Sequence, residues 1–140
     1  MRQGEEFYLN KIKHYVSTEW VEVRGAKITK GKTNRQVLKE EASQIERRIG
    51  AKDLVVTLDM DGNIMDSLEF SKFQAALLSR GQPITFVIGG PLGLDDSIGK
   101  RANETFSLSR LTLTHELCRL VLLEQIYRAF TIIKGEKYHK

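Results

Sequence analysis

The chain has 140 residues, 41% hydrophobic and 29% charged, a balance that predicts one soluble globular domain with its own core and excludes a disordered or fibrous protein. A single cysteine, Cys118, excludes an internal disulfide framework and a cysteine-rich zinc site, and points to a reducing, cytoplasmic setting. No signal peptide is expected from the polar start Met1–Glu6. No membrane span is expected from Leu117–Ile133, which Arg119, Glu124, Gln125 and Arg128 interrupt.

The net charge of +4 divides unevenly along the chain. Residues 1–52 carry 12 basic against 7 acidic side chains, 53–99 carry 2 against 7, and 100–140 carry 8 against 4. Two basic segments flanking an acidic one are the footprint of a phosphate-bearing partner, or else an unevenly charged solvated surface.

In chain order, Tyr8, Ile12, Tyr15 and Val16 recur at helical spacing, which predicts a helix over Glu5–Val16 with Glu5 and Glu6 in its first turn. Alternation over Trp20–Val23 predicts a short strand. A second helix is expected over Asn34–Ile49, capped by Thr33, stopped by Gly50, and burying Leu38, Ala42, Ile45 and Ile49. Leu54–Leu58 is an apolar run of strand length, the pattern of a strand covered on both faces, and is followed by an expected turn over Asp59–Asn63. Ser67–Arg80 reads as a helix capped by Asp66 or Ser67, with Phe70, Phe73 and Leu77 inward and Gly81 after its end. Ile84–Ile88 is a second buried strand. A short helix near Asp96–Ala102, a strand near Thr105–Leu108, a loop over Ser109–Leu113 and a long helix His115–Ile133 capped by Thr114 complete the pattern. Strands alternating with helices predict an α/β fold with a mostly parallel sheet, whose ligands sit at the carboxyl ends of the strands. Chemistry is therefore sought in the loops Asp59–Asn63, Gly89–Gly93 and Ser109–Leu113.

Several motifs fail on spacing. Gly31-Lys32-Thr33 imitates the end of a phosphate-binding loop, but the required earlier glycine is replaced by Ala26. Gly89-Gly90-Pro91-Leu92-Gly93 lacks the dinucleotide spacing, yet glycines at a strand end let the backbone approach a ligand. His115-Glu116 with Arg119 lacks the second histidine of a zinc helix, so no metal is expected. Glu124 and Arg128 read as a structural pair one helical turn apart, and Cys118 as a packed thiol. Arg24, Lys27, Lys30, Lys32 and Arg35 form a basic loop without an acid, suited to a nucleic-acid backbone or to solvent. The tail Tyr138-His139-Lys140 follows Gly135 with no capping or core role that periodicity supplies.

Phe86-Val87-Ile88-Gly89-Gly90-Pro91-Leu92-Gly93-Leu94, Ser107-Leu108-Ser109 with Leu111-Thr112-Leu113 and His115, then Arg119, Glu124, Gln125-Ile126-Tyr127-Arg128-Ala129 and Tyr138-His139 closely resemble the RlmH family. These are SPOUT-superfamily methyltransferases that act on large-subunit ribosomal RNA. The likeness is specific from about Leu54 to Lys140 and weaker upstream. It implies a single domain over residues 1–140 with helices on both faces of the sheet and a carboxyl-terminal trefoil knot. It also implies a homodimer that uses S-adenosyl-L-methionine to methylate N3 of a pseudouridine in 23S rRNA of the assembled ribosome, with no membrane or metal partner.

Carried onto this sequence, the resemblance assigns cofactor binding to Leu58, Gly90, Ser109, Arg110, Leu111, Thr112, Leu113 and Thr114. His115, Arg119, Tyr138 and His139 match positions close to cofactor or substrate. His139, or a water it holds, would assist loss of the acceptor proton. Tyr138 would stack on or hydrogen-bond the target base, and Lys140 would meet a phosphate or the developing anion. Arg119 joins these as a catalytic candidate. The basic loop and His115 are the candidate RNA contacts. The sequence departs from the family in ending on Lys140 where arginine is usual, and in carrying Leu92 for glutamate and Thr114 for proline. The family's opening strand is also expected to be missing. Two other readings share these residues: a SPOUT methyltransferase with another RNA substrate, and a ribosome-associated RNA-binding protein without activity.

Overall fold

A computed structural model describes residues 1–23, 29 and 31–140. The central strand β1 (Leu54–Ile64) pairs in parallel with β2 (Ile84–Val87) on one side and β3 (Glu104–Ser107) on the other, giving the order β2-β1-β3. The remaining elements are α1 (Arg2–Ile12), α2 (Asn34–Glu46), α3 (Ser67–Leu78), α4 (Asp96–Arg101) and α5 (His115–Ile133).

Strand periodicity assigns the two cores. Leu54 and Val56 point to one face, where Phe70 and Leu77 of α3, Phe106 of β3, and Leu122 and Ala129 of α5 enclose them. Val55 points to the other, against Val87, Ala42 of α2 and Ile98 of α4. Helix α1 forms an outer layer on α5, with Ile12 packed among Leu123, Phe130 and the rings of Tyr8, Tyr15 and Tyr127. Fully burying each such aliphatic side chain contributes about 1.5–3 kcal/mol, well above the ~0–1 kcal/mol of an exposed ion pair such as Lys32 with Glu40. The layers are therefore set by these apolar faces.

Local chemistry fixes the ends. Thr33 and Asp66 each close a reciprocal capping box, with Gln36 and Glu69 respectively. The backbone donors beside its carboxyl hold Asp66 below the usual carboxylate range, with the bond to Glu69 dominant. At the amino-terminal edge of the sheet, Asp53 Oδ2 accepts from the Gly50 amide at 2.8 Å and from Thr85 Oγ1 at 2.9 Å. Asn103 Oδ1 accepts from the Val55 amide at 2.8 Å. That edge is closed by structural bonds, which leaves the carboxyl edge for ligands.

Beyond shifts of one or two residues at the ends of α3, β2, α4 and β3, four readings differ from expectation. Helix α1 begins at Arg2 and ends at Ile12, leaving Tyr15 and Val16 in the turn that follows. Trp20–Val23 is irregular and not a strand; Trp20 instead packs on the α1–α5 layer. In α2, Val37 rather than Leu38 is the deeply buried partner of Ala42, and the helix stops at Glu46. The turn expected over Asp59–Asn63 lies inside β1: Leu58 and Asn63 both pair with Phe106, so Asp59–Gly62 bulges out and the strand resumes to Ile64.

Gly62 is what allows this excursion to close. A Cβ there would stand 2.6 Å from the Phe106 carbonyl carbon, whereas one at Gly90 would meet nothing nearer than Glu41 Oε2 at 3.9 Å. Gly62→Ala is accordingly expected to destabilise the fold by about 1–3 kcal/mol in urea unfolding. Gly90→Ala is expected to stay within about 0.5 kcal/mol of the wild type.

Candidate active site

Because all three strands are parallel, the chain leaves their carboxyl ends on one edge of the sheet. The connection after β1 runs through α3 on one face, and that after β2 runs through α4 on the other. Adjacent strands whose connections diverge are expected to open a crevice where their pairing ends; β1 and β2 part after Thr57 and Val87, just before Leu58 and Gly89–Gly90. The loop after β3 folds over the same edge. Arg110 Nη1 donates to the Met60 carbonyl oxygen, and Thr112 Oγ1 lies 3.8 Å from Met60 Sδ.

Within that loop Ser107 Oγ donates to the Ser109 carbonyl oxygen at 2.8 Å, and the Leu111 amide donates to Ser109 Oγ at 2.9 Å. These bonds turn the backbone before Thr114 Oγ1 accepts from the Leu117 amide at 3.3 Å and starts α5. Leu111 is left 74% exposed. On the facing loop the Gly93 amide donates to the Gly90 carbonyl oxygen at 2.9 Å. A Cβ on Gly89 would meet the Gly93 backbone at 2.7 Å, so only glycine folds this tightly there. Open backbone at Gly90, apolar Leu58 and Leu111, and the hydroxyls of Ser109 and Thr112 fit a flat heteroaromatic ring with a polar ribose. A shallow cavity of about 350 Å³ adjoins this edge, lined by Asp59, Leu94, Asp95, Asp96, Gly99 and Lys100. The Ser97 side chain and amide hold the Asp95 carboxyl below its ordinary range.

A second cluster is built on α5. The Gly135 amide donates to the Ile132 carbonyl and the Glu136 amide to the Thr131 carbonyl, at 3.1 and 2.8 Å, with Gly135 at φ +69°. This Schellman closure reverses the chain, a capping role for Gly135 that the sequence pattern did not reveal. The tail then returns along α5. Tyr138 packs edge-on against Tyr127 at 4.8 Å between centroids, stacks on the Arg128 guanidinium at 4.8 Å, and donates its hydroxyl to Glu124 Oε1 at 3.1 Å. Glu124 Oε1 also accepts from Arg128 Nε at 3.1 Å and Nη2 at 2.6 Å, while its Oε2 accepts from Gln125 Nε2 at 2.8 Å. Gln125 in turn accepts from Ser67 Oγ at 2.8 Å. Arg128 Nη1 lies 3.0 Å from His139 Nδ1. Bonding to Glu124 raises the Arg128 guanidinium above its ordinary range. Burial first, then the neighbouring Tyr8 and Glu124, pushes the Tyr138 phenol up. Tyr15 donates to Glu136 Oε2 at 2.8 Å, and burial followed by that bond pushes its phenol up to about 12.

The sequence-derived candidates thus fall into separate places. Leu58, Gly90 and Ser109–Thr114 share the carboxyl edge, and His115 opens α5 beside them. Tyr138 and His139 come together with Glu124 and Arg128, and Lys140 ends the chain exposed. Nine positions of helix, about 14 Å along the axis, lie between His115 and Glu124, and among the described residues the tail cluster reaches the connection after β1 only through Gln125 and Ser67. Arg119 belongs to neither cluster: its Nε donates to the buried Glu5 at 3.3 Å, tying α5 to α1. Lys32 pairs with Glu40 at 2.9 Å, and Arg35 is exposed at the start of α2. Arg24, Lys27 and Lys30 lie outside the described residues. Burial raises the Cys118 thiol, in keeping with a packed side chain. Among the described residues no group of histidines, cysteines and carboxylates is placed to hold a metal ion, and no helix is long and apolar enough to cross a membrane. Reading by motif named Tyr8 and Tyr127 but missed their place beside the tail, and missed the Ser67–Gln125 link. One tyrosine in each of the first and last helices, Tyr8 and Tyr127, was the available signal.

A family model described as "Predicted SPOUT methyltransferase" matches residues 1–139. A protein of Caldicellulosiruptor saccharolyticus named "Ribosomal RNA large subunit methyltransferase H" is 40% identical over 139 residues, covering 99% of this chain and 90% of its own. Proteins of the same name from Thermotoga neapolitana and Streptococcus suis are 37% and 40% identical, each covering at least 99% of this chain and 90–91% of their own.

The tyrosine contacts have a direct readout. An unfolded tyrosine ionises near ~10, so the docking of Tyr15 stabilises the fold fully below that pH and is lost as pH rises through about 12. Phenolate absorbance is expected to show Tyr15 and Tyr138 ionising above the ordinary tyrosine range. Glu136→Gln is expected to lower Tyr15 while leaving Tyr138 high. Ionisation of Tyr15 and Tyr138 at ~10 would contradict the docked tail.

Proposed function

The chain belongs to the SPOUT methyltransferase family, and from that membership we propose that it methylates N3 of a pseudouridine in large-subunit ribosomal RNA, using S-adenosyl-L-methionine. The observation that carries this reading is the likeness, over the whole chain, to relatives named for large-subunit rRNA methylation. The two clusters on α5 and at the sheet edge fit it chemically. When bound, the cofactor supplies an electrophilic methyl group whose bonding electrons stay on sulfur as it leaves.

Alignment is the protein's main contribution, since fixing donor and acceptor in line removes most of the entropic barrier. Leu58 and Leu111 would sandwich the adenine, with the backbone of Gly90 and of Arg110–Leu113 reading its edge and Ser109 and Thr112 near the ribose. Thr114 ends that loop and fixes where it enters α5. Tyr138 would bear on the target base, His139 on its polar edge, and Lys140 on a phosphate. Lys140 is a point charge that gives attraction without the bidentate fork of an arginine. His115, Lys32, Arg35 and the basic segment around Arg24, Lys27 and Lys30 are candidate backbone contacts, and Arg119 acts on the site through the α1–α5 packing that it pins.

The proposed enzyme is a cytoplasmic homodimer whose carboxyl-terminal segment forms a trefoil knot. The distance between loops and tail supports the dimer, because a second copy could bring its tail to these loops. Exposed Met60 and Leu111, on segments that meet through Thr112, and exposed Leu68 and Leu117 supply apolar surface for such a contact. A domain this small has little surface with which to select a short RNA, so the assembled ribosome is the proposed substrate.

Calorimetry is expected to show S-adenosyl-L-methionine binding; its absence would favour a ribosome-associated RNA-binding protein instead. Purified enzyme is expected to methylate assembled ribosomes well and free rRNA poorly, with His139→Ala and Lys140→Ala slower. Mass spectrometry of rRNA from a deletion strain should lack one methylated pseudouridine. Efficient turnover of a bare stem-loop would count against the ribosomal substrate.

A further inference from the structure

The contact between Arg128 and His139 constrains which ring nitrogen carries the proton. Arg128 Nη1 and His139 Nδ1 are 3.0 Å apart, and a guanidinium offers N–H donors but no acceptor. Nδ1 must therefore take this bond with its lone pair, which leaves the proton of the neutral ring on Nε2.

Arg128 is held where it makes this bond. Its Nε and Nη2 are fixed on Glu124 Oε1 at 3.1 and 2.6 Å, and the Tyr138 ring lies over its guanidinium. Glu124 is itself fixed by Tyr138 and Gln125, and Gln125 by Ser67. We infer that Glu124 and Arg128 are positioning residues that hold His139 as its Nε2–H tautomer, so that the tail presents a hydrogen-bond donor to the substrate rather than a proton acceptor.

What that donor meets rests on the proposed function; the tautomer rests on this chain alone. N3 of a pseudouridine lies between two carbonyl groups. As its proton passes to water, negative charge spreads onto the flanking oxygens, and an Nε2–H aimed at one of them stabilises the anion. The N3 electron pair then forms the bond to the methyl carbon while the carbon–sulfur bond breaks toward sulfur. His139 thus assists deprotonation by stabilising its product, and not by taking the proton onto its own ring.

The test reads the tautomer on the protein alone. The chain has three histidines, so long-range proton–nitrogen correlation spectra of histidine-labelled protein at about pH 8, above the ordinary histidine range, resolve each ring, with His139→Gln giving the assignment. The Nε2–H pattern is expected for His139 in the wild type, and a mixture of tautomers in Arg128→Gln. An Nδ1–H pattern in the wild type overturns the inference without any variant. With ribosomes as substrate, His139→Gln, which keeps an N–H donor, is expected within about tenfold of the wild-type rate. His139→Ala is expected to lose about 10²–10³-fold. Equal losses in the two variants overturn the donor role. A wild-type protein that shows the Nε2–H pattern but leaves ribosomes unmethylated would refute the proposed substrate and leave the tautomer standing.

Discussion

The burial of β1 on both faces is the constraint from which the other elements take their places. Leu54, Val55, Val56 and Thr57 are all within 2% of full burial, so each side of the strand must be roofed by helix. A strand in the middle of a parallel sheet cannot turn straight back into its neighbour; it needs a crossover, and here successive crossovers go to opposite faces. α3 joins α5 over Leu54 and Val56, and α4 joins α2 over Val55. The same division sends three loops to one edge and opens the crevice beside Leu58. The candidate cofactor site thus follows from how the core was filled.

Polar interactions hold the second half of the site, and their placement decides what they do. Glu5 and Arg119 form a largely buried pair between α1 and α5, in which losing either partner leaves a charge uncompensated. Glu124 and Arg128 are similarly enclosed, and they add a geometric constraint: one carboxylate oxygen gathers the guanidinium and the Tyr138 hydroxyl at once. Removing one member loosens the tail without opening the hydrophobic layers beneath it.

Much of this arrangement was legible in the residues. The continuous apolar run Leu54–Leu58 marks a doubly covered strand, and Thr33, Asp66 and Thr114 mark three helix starts, because caps and buried runs are local properties. Trp20–Val23 misled because alternation records one buried face without saying whether a strand or a neighbouring helix buries it. The bulge at Asp59–Gly62 was hidden for a related reason: Asp-Met-Asp-Gly has turn chemistry, while resumption of the strand depends on Phe106, far away in sequence. Glu124 and Arg128 were visible as a helical pair, but their meaning depends on a tail that returns only because Gly135 takes up φ +69°.

The uneven charge along the chain gains a spatial meaning from the way α1 lies on α5. Gly4 meets Leu120, while Tyr15 stacks on Phe130 at 4.9 Å, so the two helices run in the same direction. Their carboxyl ends coincide, and with them Lys11 and Lys13 of the first basic segment and Lys134 and Lys137 of the last. Both helix dipoles place partial negative charge there, which favours cations in these positions before any partner arrives. The acidic segment, residues 53–99, supplies β1, β2 and the loops around the candidate cofactor crevice instead. Cationic groups distant in sequence are thus gathered beside the tail. Under the proposed function this end would meet the ribosomal phosphates, drawing Tyr138 and His139 toward the RNA while the apolar edge stays free for the cofactor.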